Sequence, residues 1–468
     1  MPLTHPDRFF PAEPKVRDLA RRLYETVKDL PIISPHGHCD PRWFADNQRF
    51  PNPAALFVIP DHYVFRMLVS QGVSLADLGI ARAIGNPVET EPRAIWQRFA
   101  DHYYLFRGTP SAIWLDHAFE NVFGINEVLG SENANTVYDQ IEAQLALPEF
   151  HPRALFDRFD IELLATTEGA LDDLRWHRQI AESDWTGRVI TTYRPDAVTD
   201  PDQEDFVQNV AELGKLTNED TQSWSGYLNA HLKRRAYFKA HGATATDHGH
   251  PSARTEDLTL AAAEALYAIV LAGTHTAQEA EAFRGQVLTE MAKMSLEDGL
   301  TMQIHAGSRR NHATSVFDQF GRDKGFDIPG PTDYVTALQP LLNAVGMEPG
   351  LTIVMFTLDE TAYSRELAPL AGVYPALKLG PPWWFFDSYE GIKRFRETTT
   401  ETCGFYNTVG FNDDTRAFCS IPARHDVSRR CDSAYLASLV ATGRLRESEA
   451  FAVASDLAYG LAKTAYRL

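Results

Sequence analysis

The sequence is poor in cysteine and has no long apolar run. The four cysteines among its 468 residues form no Cys-x-x-Cys pair, so we interpret them as reduced thiols of a cytosolic protein. No stretch approaches the roughly 18 apolar residues that a membrane helix requires, so no membrane partner is expected. The first residues, MPLTHPDRFFPAEP, also lack an apolar run. We therefore expect no signal peptide and a cytoplasmic location.

Positive charge is scarce as well. The chain has 44 Lys and Arg against 63 Asp and Glu, a formal net charge of −19. This balance argues against a nucleic-acid partner, because neutralising phosphates requires a basic surface. It does not exclude an anionic small molecule, since a local group of arginines can lie inside an acidic protein. The chain shows no low-complexity tract and no repeat of intermediate length.

Eight short apolar or β-branched runs, each ending in polar residues, alternate with helical segments. The runs are LPIISPHGH (30–38), IELLATTEG (161–169), GRVITTYRPD (187–196), GATATDHG (242–249), LTMQIHAG (300–307), LTIVMFTLD (351–359), YPALKLGPPW (374–383) and YNTVGFNDDTR (406–416). This alternation is typical of parallel strands joined by helices. Eight runs predict an α/β fold of the (β/α)8 TIM-barrel type, although the weak fourth run is included partly because the count requires it.

The spacing of the runs is uneven. The first two lie too far apart for a single strand–helix connection, so residues 41–155 are interpreted as a large helical insertion after strand 1. Residues 1–40 and 156–468 then form the barrel. Further helical segments are predicted over 73–106, 200–240 and 251–298. Because barrel insertions at the C-terminal strand ends build the roof of the active site, we expect the insertion to cover that site.

Two histidines one residue apart, His36 and His38, end the first run. Side chains two apart on a strand point to the same side, so both imidazoles could bind one cation at the barrel mouth. Taken alone the pair is weak evidence, because the chain has 16 histidines and a second such pair, His248 and His250. Asp414 ends the eighth run, which neighbours the first in a closed barrel, and a carboxylate would complete the ligand set.

Arginines also stand at strand ends. Arg194 ends the third run, and Arg309 and Arg310 follow the fifth. Arginine binds carboxylates through two hydrogen bonds, so several arginines over one mouth indicate an acidic substrate, whereas each alone could form a surface ion pair. His62 and Tyr63 lie in the predicted insertion. Tyrosine can donate a proton at a covered site, but both residues could equally pack between helices.

These stretches together resemble the uronate isomerase (glucuronate isomerase) family of the amidohydrolase superfamily. The resemblance covers nearly the whole chain and rests on the motifs RLYETVKDLPIISPHGHCDPRWFADNQRFPN, DHYVFRMLVSQGV, TYRPD, KAHGATATDHG, MQIHAGSRRNH, GFDIPG, WWFFD and VGFNDDTRAF. It implies a (β/α)8 barrel with a large helical insertion after the first strand, in agreement with the spacing of the runs. It also implies aldose–ketose isomerisation of D-glucuronate to D-fructuronate, of D-galacturonate to D-tagaturonate, or of both.

The resemblance assigns site residues. His36, His38 and Asp414 match the family's metal-binding positions. Substrate-binding positions are matched by Arg194, Asp247, His305, Arg310 and Trp384, and catalytic positions by His62, Tyr63, Asp414 and Arg416. The strand ends show no counterpart of the bridging lysine that is typical of two-metal hydrolases. We therefore expect a single divalent metal ion, zinc. We also expect a small hexuronate as the bound partner and a homo-oligomer.

The expected chemistry is a proton transfer between C2 and C1 of an open-chain sugar. Asp414 is the candidate base, Arg416 stabilises the negative charge that develops, and Tyr63 is the candidate proton donor. A metal-assisted hydride shift would use the same ligands and remains open. Two other functions also remain open: a mononuclear metal-dependent hydrolase on the same barrel, and a sugar-acid binder without activity.

Overall fold

Short strands, nearly all of them parallel, organise the fold. The computed structural model describes residues 2–468. Its strands are β1 (Ile32–Ser34), β2 (Ile161–Ala165), β3 (Glu168–Gly169), β4 (Val189–Ile190), β5 (Tyr193–Arg194), β6 (Ala245–His250), β7 (Thr301–Ala306), β8 (Ser308–Arg309), β9 (Ile328–Pro329), β10 (Ile353–Thr357) and β11 (Leu377–Leu379). Only β8 and β9 pair antiparallel among them.

The parallel strands follow one another around a barrel. β1 pairs with β2 and β2 with β4, while β3, β5, β6, β7, β10 and β11 pair in that order. β2 and β3 belong to one extended stretch and β4 and β5 to the next, because Thr166 N donates to Ile190 O and Glu168 N to Thr192 O, which continues the ladder between the short strands. The predicted order of the first seven runs is therefore observed.

The eighth run differs from a regular strand. It contributes a parallel bridge between Thr408 and Leu379 of β11, and Thr415 O accepts a hydrogen bond from His38 N at 3.0 Å, which links the run back to the first. Gly410 and Asp414 have φ angles of +77° and +41°, and a left-handed backbone cannot continue a strand. The prediction of a TIM-type barrel is confirmed, with its eighth member reduced to this bridge.

Helices occupy the connections. They are α1 (Pro14–Val27), α2 (Pro41–Asp46), α3 (Pro53–Phe57), α4 (His62–Val69), α5 (Pro92–Asp101), α6 (Pro110–His117), α7 (Ala134–Leu145), α8 (Pro152–Arg158), α9 (Arg175–Ala181), α10 (Asp196–Thr199), α11 (Phe206–Thr217), α12 (Trp224–Ala240), α13 (Leu260–Leu271), α14 (Ala277–Asp298), α15 (Thr314–Phe320), α16 (Val335–Val345), α17 (Ala368–Ala371), α18 (Tyr389–Cys403), α19 (Ile421–Ala441), α20 (Glu447–Ser455) and α21 (Leu461–Tyr466). Within residues 2–468, no helix combines the length and the apolar character needed to cross a bilayer.

Helices α2 to α8 fill the chain between β1 and β2. Several of them begin at a proline that follows a capping side chain, because proline fits the first helical turn and the cap accepts a free backbone N–H. The caps before α2, α3, α5 and α6 are Asp40, Asn52, Glu91 and Thr109. These local signals explain why this part of the sequence forms many short helices rather than a few long ones.

The prediction of helix over 73–106 is wrong in part. A short 3₁₀ turn covers Leu75–Leu78, and Gly79, with a φ of +75°, ends it. No helix forms over 79–91, and α5 begins only at the proline that follows. Of the two isoleucines in this non-helical stretch, Ile80 is buried and Ile84 is exposed.

Candidate active site

A cavity of about 630 Å³ opens at the C-terminal ends of the strands. In a TIM-type barrel the chemistry takes place at this end. The predicted site residues that line the cavity are His36, His38, His62, Tyr63, Arg194, His305, Arg310, Trp384, Asp414 and Arg416. Asp247 contacts two of them from a fully buried position. The structure thus brings together side chains that are far apart in the sequence.

His36, His38 and Asp414 converge on one point. Nε2 of His36 and Nε2 of His38 lie 3.5 Å and 3.1 Å from the same Oδ1 atom of Asp414. This convergence does not arise from the strand geometry that the sequence predicts. β1 ends at Ser34, and the two imidazole rings stand at 82° to each other instead of side by side. The left-handed backbone at Asp414, with a φ of +41°, belongs to the irregular loop that carries its carboxylate.

A second group of donors adjoins the first. Nδ1 of His305 lies 2.6 Å from Oδ1 of the buried Asp247, and the His305 ring stacks on His36 with ring centres 4.9 Å apart. Nε2 of His305 is buried without a hydrogen-bond partner among residues 2–468. The groups His36–Asp247–His305 and His36–His38–Asp414 each place three donor atoms within 4.8 Å of one another.

These residues fit a divalent cation. Burial lowers the pKa of His36 to about 4, so its imidazole is neutral and can act as a ligand at neutral pH. Burial opposes ionisation of Asp414, but the adjacent His36 and His38 hold the pKa of that carboxyl well below its usual range. The neutral imidazole of His36 beside the ionised carboxylate of Asp414 belongs to a donor set suited to a metal ion.

The His36 ring has a support behind it. Nε2 of Gln303 lies 3.3 Å from Nδ1 of His36, and the Tyr466 hydroxyl donates to Oε1 of Gln303 at 2.8 Å. Gln303 and Tyr466 are both fully buried. The orientation of a candidate ligand therefore depends on a residue of α21, which no motif in the sequence indicates.

The three predicted arginines that face the cavity, Arg194, Arg310 and Arg416, each have an acidic neighbour. Arg194 pairs through Nε with Asp196 at 2.9 Å and through Nη1 with Asp247 at 3.0 Å. Arg310 Nη1 lies 3.3 Å from Asp327, and Arg416 Nη2 lies 3.5 Å from Asp323. These pairs orient the guanidinium groups while leaving further N–H donors for a ligand. Of these acidic partners Asp247 was among the predicted site residues. Asp196, Asp323 and Asp327 were not, although Asp196 lies in the TYRPD motif.

The Tyr63 hydroxyl is held in the cavity wall. It donates to Oδ1 of Asp387 at 2.6 Å and accepts a hydrogen bond from the backbone N–H of Phe385 at 3.0 Å. Asp387 also pairs with the buried guanidinium of Arg424. Burial and the Asp387 carboxylate raise the pKa of Tyr63 well above its usual value. Asp387 could have been suspected because it ends the WWFFD motif, whereas nothing in the sequence singles out Arg424.

An aromatic wall surrounds this tyrosine. The Trp384 ring lies with its centre 4.3 Å from that of His62 and 4.7 Å from that of Tyr63, and its Nε1 donates to Asp327 O at 2.8 Å. Trp384 and Phe385 have φ angles of +21° and +72°, which large side chains rarely adopt. Such strain persists only where the surroundings enforce it, and it is common at functional sites.

The second histidine pair has a different environment. His248 and His250 lie in β6 and are buried, and Nε2 of His248 lies 3.0 Å from the hydroxyl of Thr246. Within the described residues 2–468, neither histidine belongs to a group of candidate metal ligands. The structure gives this pair no support as a metal site.

Comparison with known proteins identifies the family. The family model described as glucuronate isomerase matches residues 14–466. The chain is 63% identical over 466 residues to a uronate isomerase of Mesorhizobium japonicum, covering 100% of this chain and 99% of that one. The crystal structure of a glucuronate isomerase from Caulobacter crescentus is 57% identical, with a TM-score of 0.98 over 100% of this chain and 98% of that one. A uronate isomerase structure from Thermotoga maritima is 27% identical, with a TM-score of 0.91 over 99% of both chains. The resemblance noted in the sequence is confirmed, and the chain belongs to the glucuronate isomerase family.

Proposed function

We propose that this enzyme catalyses the aldose–ketose isomerisation of hexuronates: D-glucuronate to D-fructuronate, D-galacturonate to D-tagaturonate, or both. One observation carries the proposal beyond family membership. The ionised carboxylate of Asp414 faces the same cavity as the guanidinium groups of Arg194, Arg310 and Arg416. A base beside several cations suits the deprotonation of an anionic sugar, because the enediolate that forms adds negative charge.

Asp414 is the proposed base at C2. It is the ionised member of the site nearest to His36 and His38, and its carboxylate borders the cavity. Arg416 follows two residues later and lines the same cavity, where it can stabilise the charge on the enediolate oxygens. Arg194 and Arg310 hold the acidic sugar, and His305 and Trp384 complete the substrate-binding surface. Asp247 contributes to substrate binding from its buried position by pairing with Arg194 and His305.

Tyr63 is the proposed acid at C1, with His62 beside it as a further catalytic residue. The hydroxyl proton of Tyr63 is directed to Asp387, so proton donation requires the hydroxyl to exchange that hydrogen bond for one to the sugar. The pair of Asp387 and Arg424 stays behind it and keeps the phenol neutral and oriented. Burial keeps His62 uncharged by holding its pKa well below the usual value, so His62 would act by hydrogen bonding.

We propose one divalent metal ion, zinc, held by His36, His38 and Asp414. When bound, the cation would polarise the sugar oxygens or hold the sugar in place. We also propose that residues 41–155 form an insertion that covers the site, because α4 within it supplies His62 and Tyr63 to the cavity. A cytoplasmic homo-oligomer completes the proposal.

One assay tests the function directly. The protein is incubated with D-glucuronate and with D-galacturonate, with and without a chelator, and ketouronate formation is followed. Substrate carrying deuterium at C2 should lose the label to solvent if Asp414 acts as a base, whereas full retention of the label favours a hydride shift. Hydrolysis of an amide, lactone or ester without isomerisation would favour the hydrolase alternative. Tight uronate binding that is unchanged by His36→Ala, with no turnover, would favour a binder.

A further inference from the structure

Gly249 lies where two arginines of the cavity meet. It is the fifth residue of β6, and its Cα is in register with that of His305 on the neighbouring strand β7. Its backbone N–H lies 3.1 Å from Oδ1 and 3.3 Å from Oδ2 of Asp196. The residue therefore stands at the level of the candidate ligands and borders the cavity.

The missing side chain of Gly249 leaves room for both guanidinium groups. A Cβ atom at this position would lie 2.6 Å from Nη2 of Arg194, 2.6 Å from Nη2 of Arg310 and 2.7 Å from Oδ2 of Asp196. Real Cβ atoms do not approach other heavy atoms this closely, so a methyl group would displace all three side chains. The two Nη2 atoms are consequently neighbours only because residue 249 is glycine.

Three other nitrogen donors of these two arginines are already engaged. Nε and Nη1 of Arg194 face Asp196 and Asp247, and Nη1 of Arg310 faces Asp327. Nη2 of each group is the atom that points to Gly249. Two N–H donors from separate guanidinium groups that converge on one place can bind a carboxylate with fixed orientation.

We propose that Gly249 is a positioning residue that determines carboxylate specificity, by letting Arg194 and Arg310 converge on the carboxylate of the bound sugar acid. This inference rests on the proposed hexuronate substrate and deepens it. The role of Gly249 is to leave space for the two guanidinium groups, so a residue with a side chain cannot perform it. The atoms that a methyl group would meet are the tips of flexible side chains, so the fold should tolerate Gly249→Ala while the arginines move apart.

The chain offers a matched control. Gly169 is in register with Arg194 across β3 and β5, and a Cβ atom there would have no heavy atom within 4 Å. Gly169→Ala thus adds the same methyl group beside the same arginine without displacing it. Thermal unfolding of both variants shows whether either change affects the fold.

The test uses two unreactive ligands that differ only in the carboxylate. L-Gulonate has the carboxylate and hydroxyl groups of reduced D-glucuronate, and D-glucitol has a hydroxymethyl group in place of the carboxylate. Calorimetry should show that the wild-type enzyme prefers L-gulonate. Gly249→Ala should reduce this preference about ten- to a hundredfold, the loss expected when a charge-assisted hydrogen bond is broken, while Gly169→Ala keeps it. For D-glucuronate turnover, KM should rise more than kcat falls.

A double variant separates positioning from a general structural effect. Once Arg310→Ala has removed one arm, adding Gly249→Ala should weaken L-gulonate binding by a smaller factor than it does in the wild type, because part of its effect acts through the contact that is already lost. If Gly249→Ala alone does not fold, rescue of folding by Arg310→Ala supports the inference and failure of that rescue overturns it. A Gly249→Ala enzyme that keeps the wild-type preference for L-gulonate also overturns it. Absence of hexuronate turnover by the wild type would refute the proposed function but leave the binding comparison valid.

Discussion

Single residues decide the chemistry of this site through their surroundings. Asp414 is ionised because two histidines outweigh the effect of its burial. Tyr63 keeps its proton because burial and the Asp387 carboxylate both oppose ionisation. The two candidate groups are thus held in opposite protonation states at neutral pH, one able to accept a proton and the other able to donate it. That division of roles is what an isomerase requires.

Replacing the proposed base should abolish turnover. We expect Asp414→Asn to lower kcat/KM for D-glucuronate by about a thousandfold or more, because an amide cannot accept the C2 proton. Exchange of the C2 hydrogen with solvent should stop as well. Measuring the metal content of the variant separates loss of the base from loss of a ligand. The exposed Asp318, outside the cavity, provides the control Asp318→Asn. Activity of Asp414→Asn within about tenfold of the wild type would exclude Asp414 as the base.

Removing the proposed acid should leave binding largely intact. We expect Tyr63→Phe to lower kcat by about a hundredfold or more with little change in KM, because the hydroxyl acts in proton donation. Tyr103→Phe is a matched control, since the Tyr103 hydroxyl also donates to a carboxylate, Asp116, at 2.7 Å, away from the cavity. Steady-state kinetics of both variants provides the comparison. Equal effects of the two changes would point to a structural role for Tyr63.

At the scale of elements, the segment after the eighth run connects the barrel with helices α2 and α8. Phe418 follows Asp414 by four residues and is almost fully buried. Its ring centre lies 5.2 Å from that of Phe44 in α2 and 5.4 Å from that of Phe159, which follows α8. Edge-on and tilted aromatic contacts of this kind fix the loop that carries the candidate base.

Removing the buried ring of Phe418 from this junction should destabilise the folded protein. We expect Phe418→Ala to lower the free energy of unfolding by about 3–5 kcal/mol, the usual range for removing a buried phenyl ring. Chemical denaturation monitored by tryptophan fluorescence measures the change. Ile84→Ala, at a side chain that is 76% exposed, should change stability by less than about 0.5 kcal/mol. Similar losses for both variants would show that the aromatic junction contributes little.

The elements show what the sequence could predict and what it could not. The strand runs were recognisable because their apolar and β-branched residues are local signals, and the weak fourth run is the regular strand β6. The apolar pattern of the eighth run predicts a strand. Hydrophobicity does not reveal the left-handed φ angles at Gly410 and Asp414, which prevent a regular strand there. The sequence predicts that His36, His38 and Asp414 converge, and the structure brings them together. The prediction assumed that both histidines lie on a strand and point to the same side, whereas β1 ends at Ser34, before either of them. Partners such as Arg424 depend on packing between distant elements, which composition does not reveal.

At the scale of the whole molecule, one buried carboxyl group couples stability to pH. Glu168, the first residue of strand β3, accepts a hydrogen bond from the Thr191 hydroxyl and lies 3.6 Å from His177. Burial raises its pKa to about 8 from a usual 4.5. The folded state therefore keeps a proton that the unfolded state releases, and stability falls as pH rises between these values. Burial lowers the pKa of His177 from 6.5 to about 4. Its titration therefore changes the free energy of unfolding only below about pH 6.5.

Only Glu168 of this pair should act between pH 6.5 and 8. We expect the wild-type free energy of unfolding to fall in this window by up to about 1.4 kcal/mol per pH unit on account of Glu168. Glu168→Gln should remove that part of the slope, because the amide has no proton to lose. Denaturation curves of both proteins at several pH values provide the test, and the difference between them cancels other titrating groups. Parallel stability profiles would show that Glu168 ionises normally.

The chain of contacts from Tyr466 through Gln303 to His36 has a consequence for biosynthesis. Its two hydrogen bonds span 163 and 267 residues of sequence. During translation the first strand and its histidines leave the ribosome before the other strands, while the tyrosine that steadies the Gln303 amide emerges only after β11. Helices and strands can form while the chain grows. The support behind His36, however, is completed only after residue 466 has been released, so a nascent chain cannot yet hold this candidate ligand as the finished enzyme does.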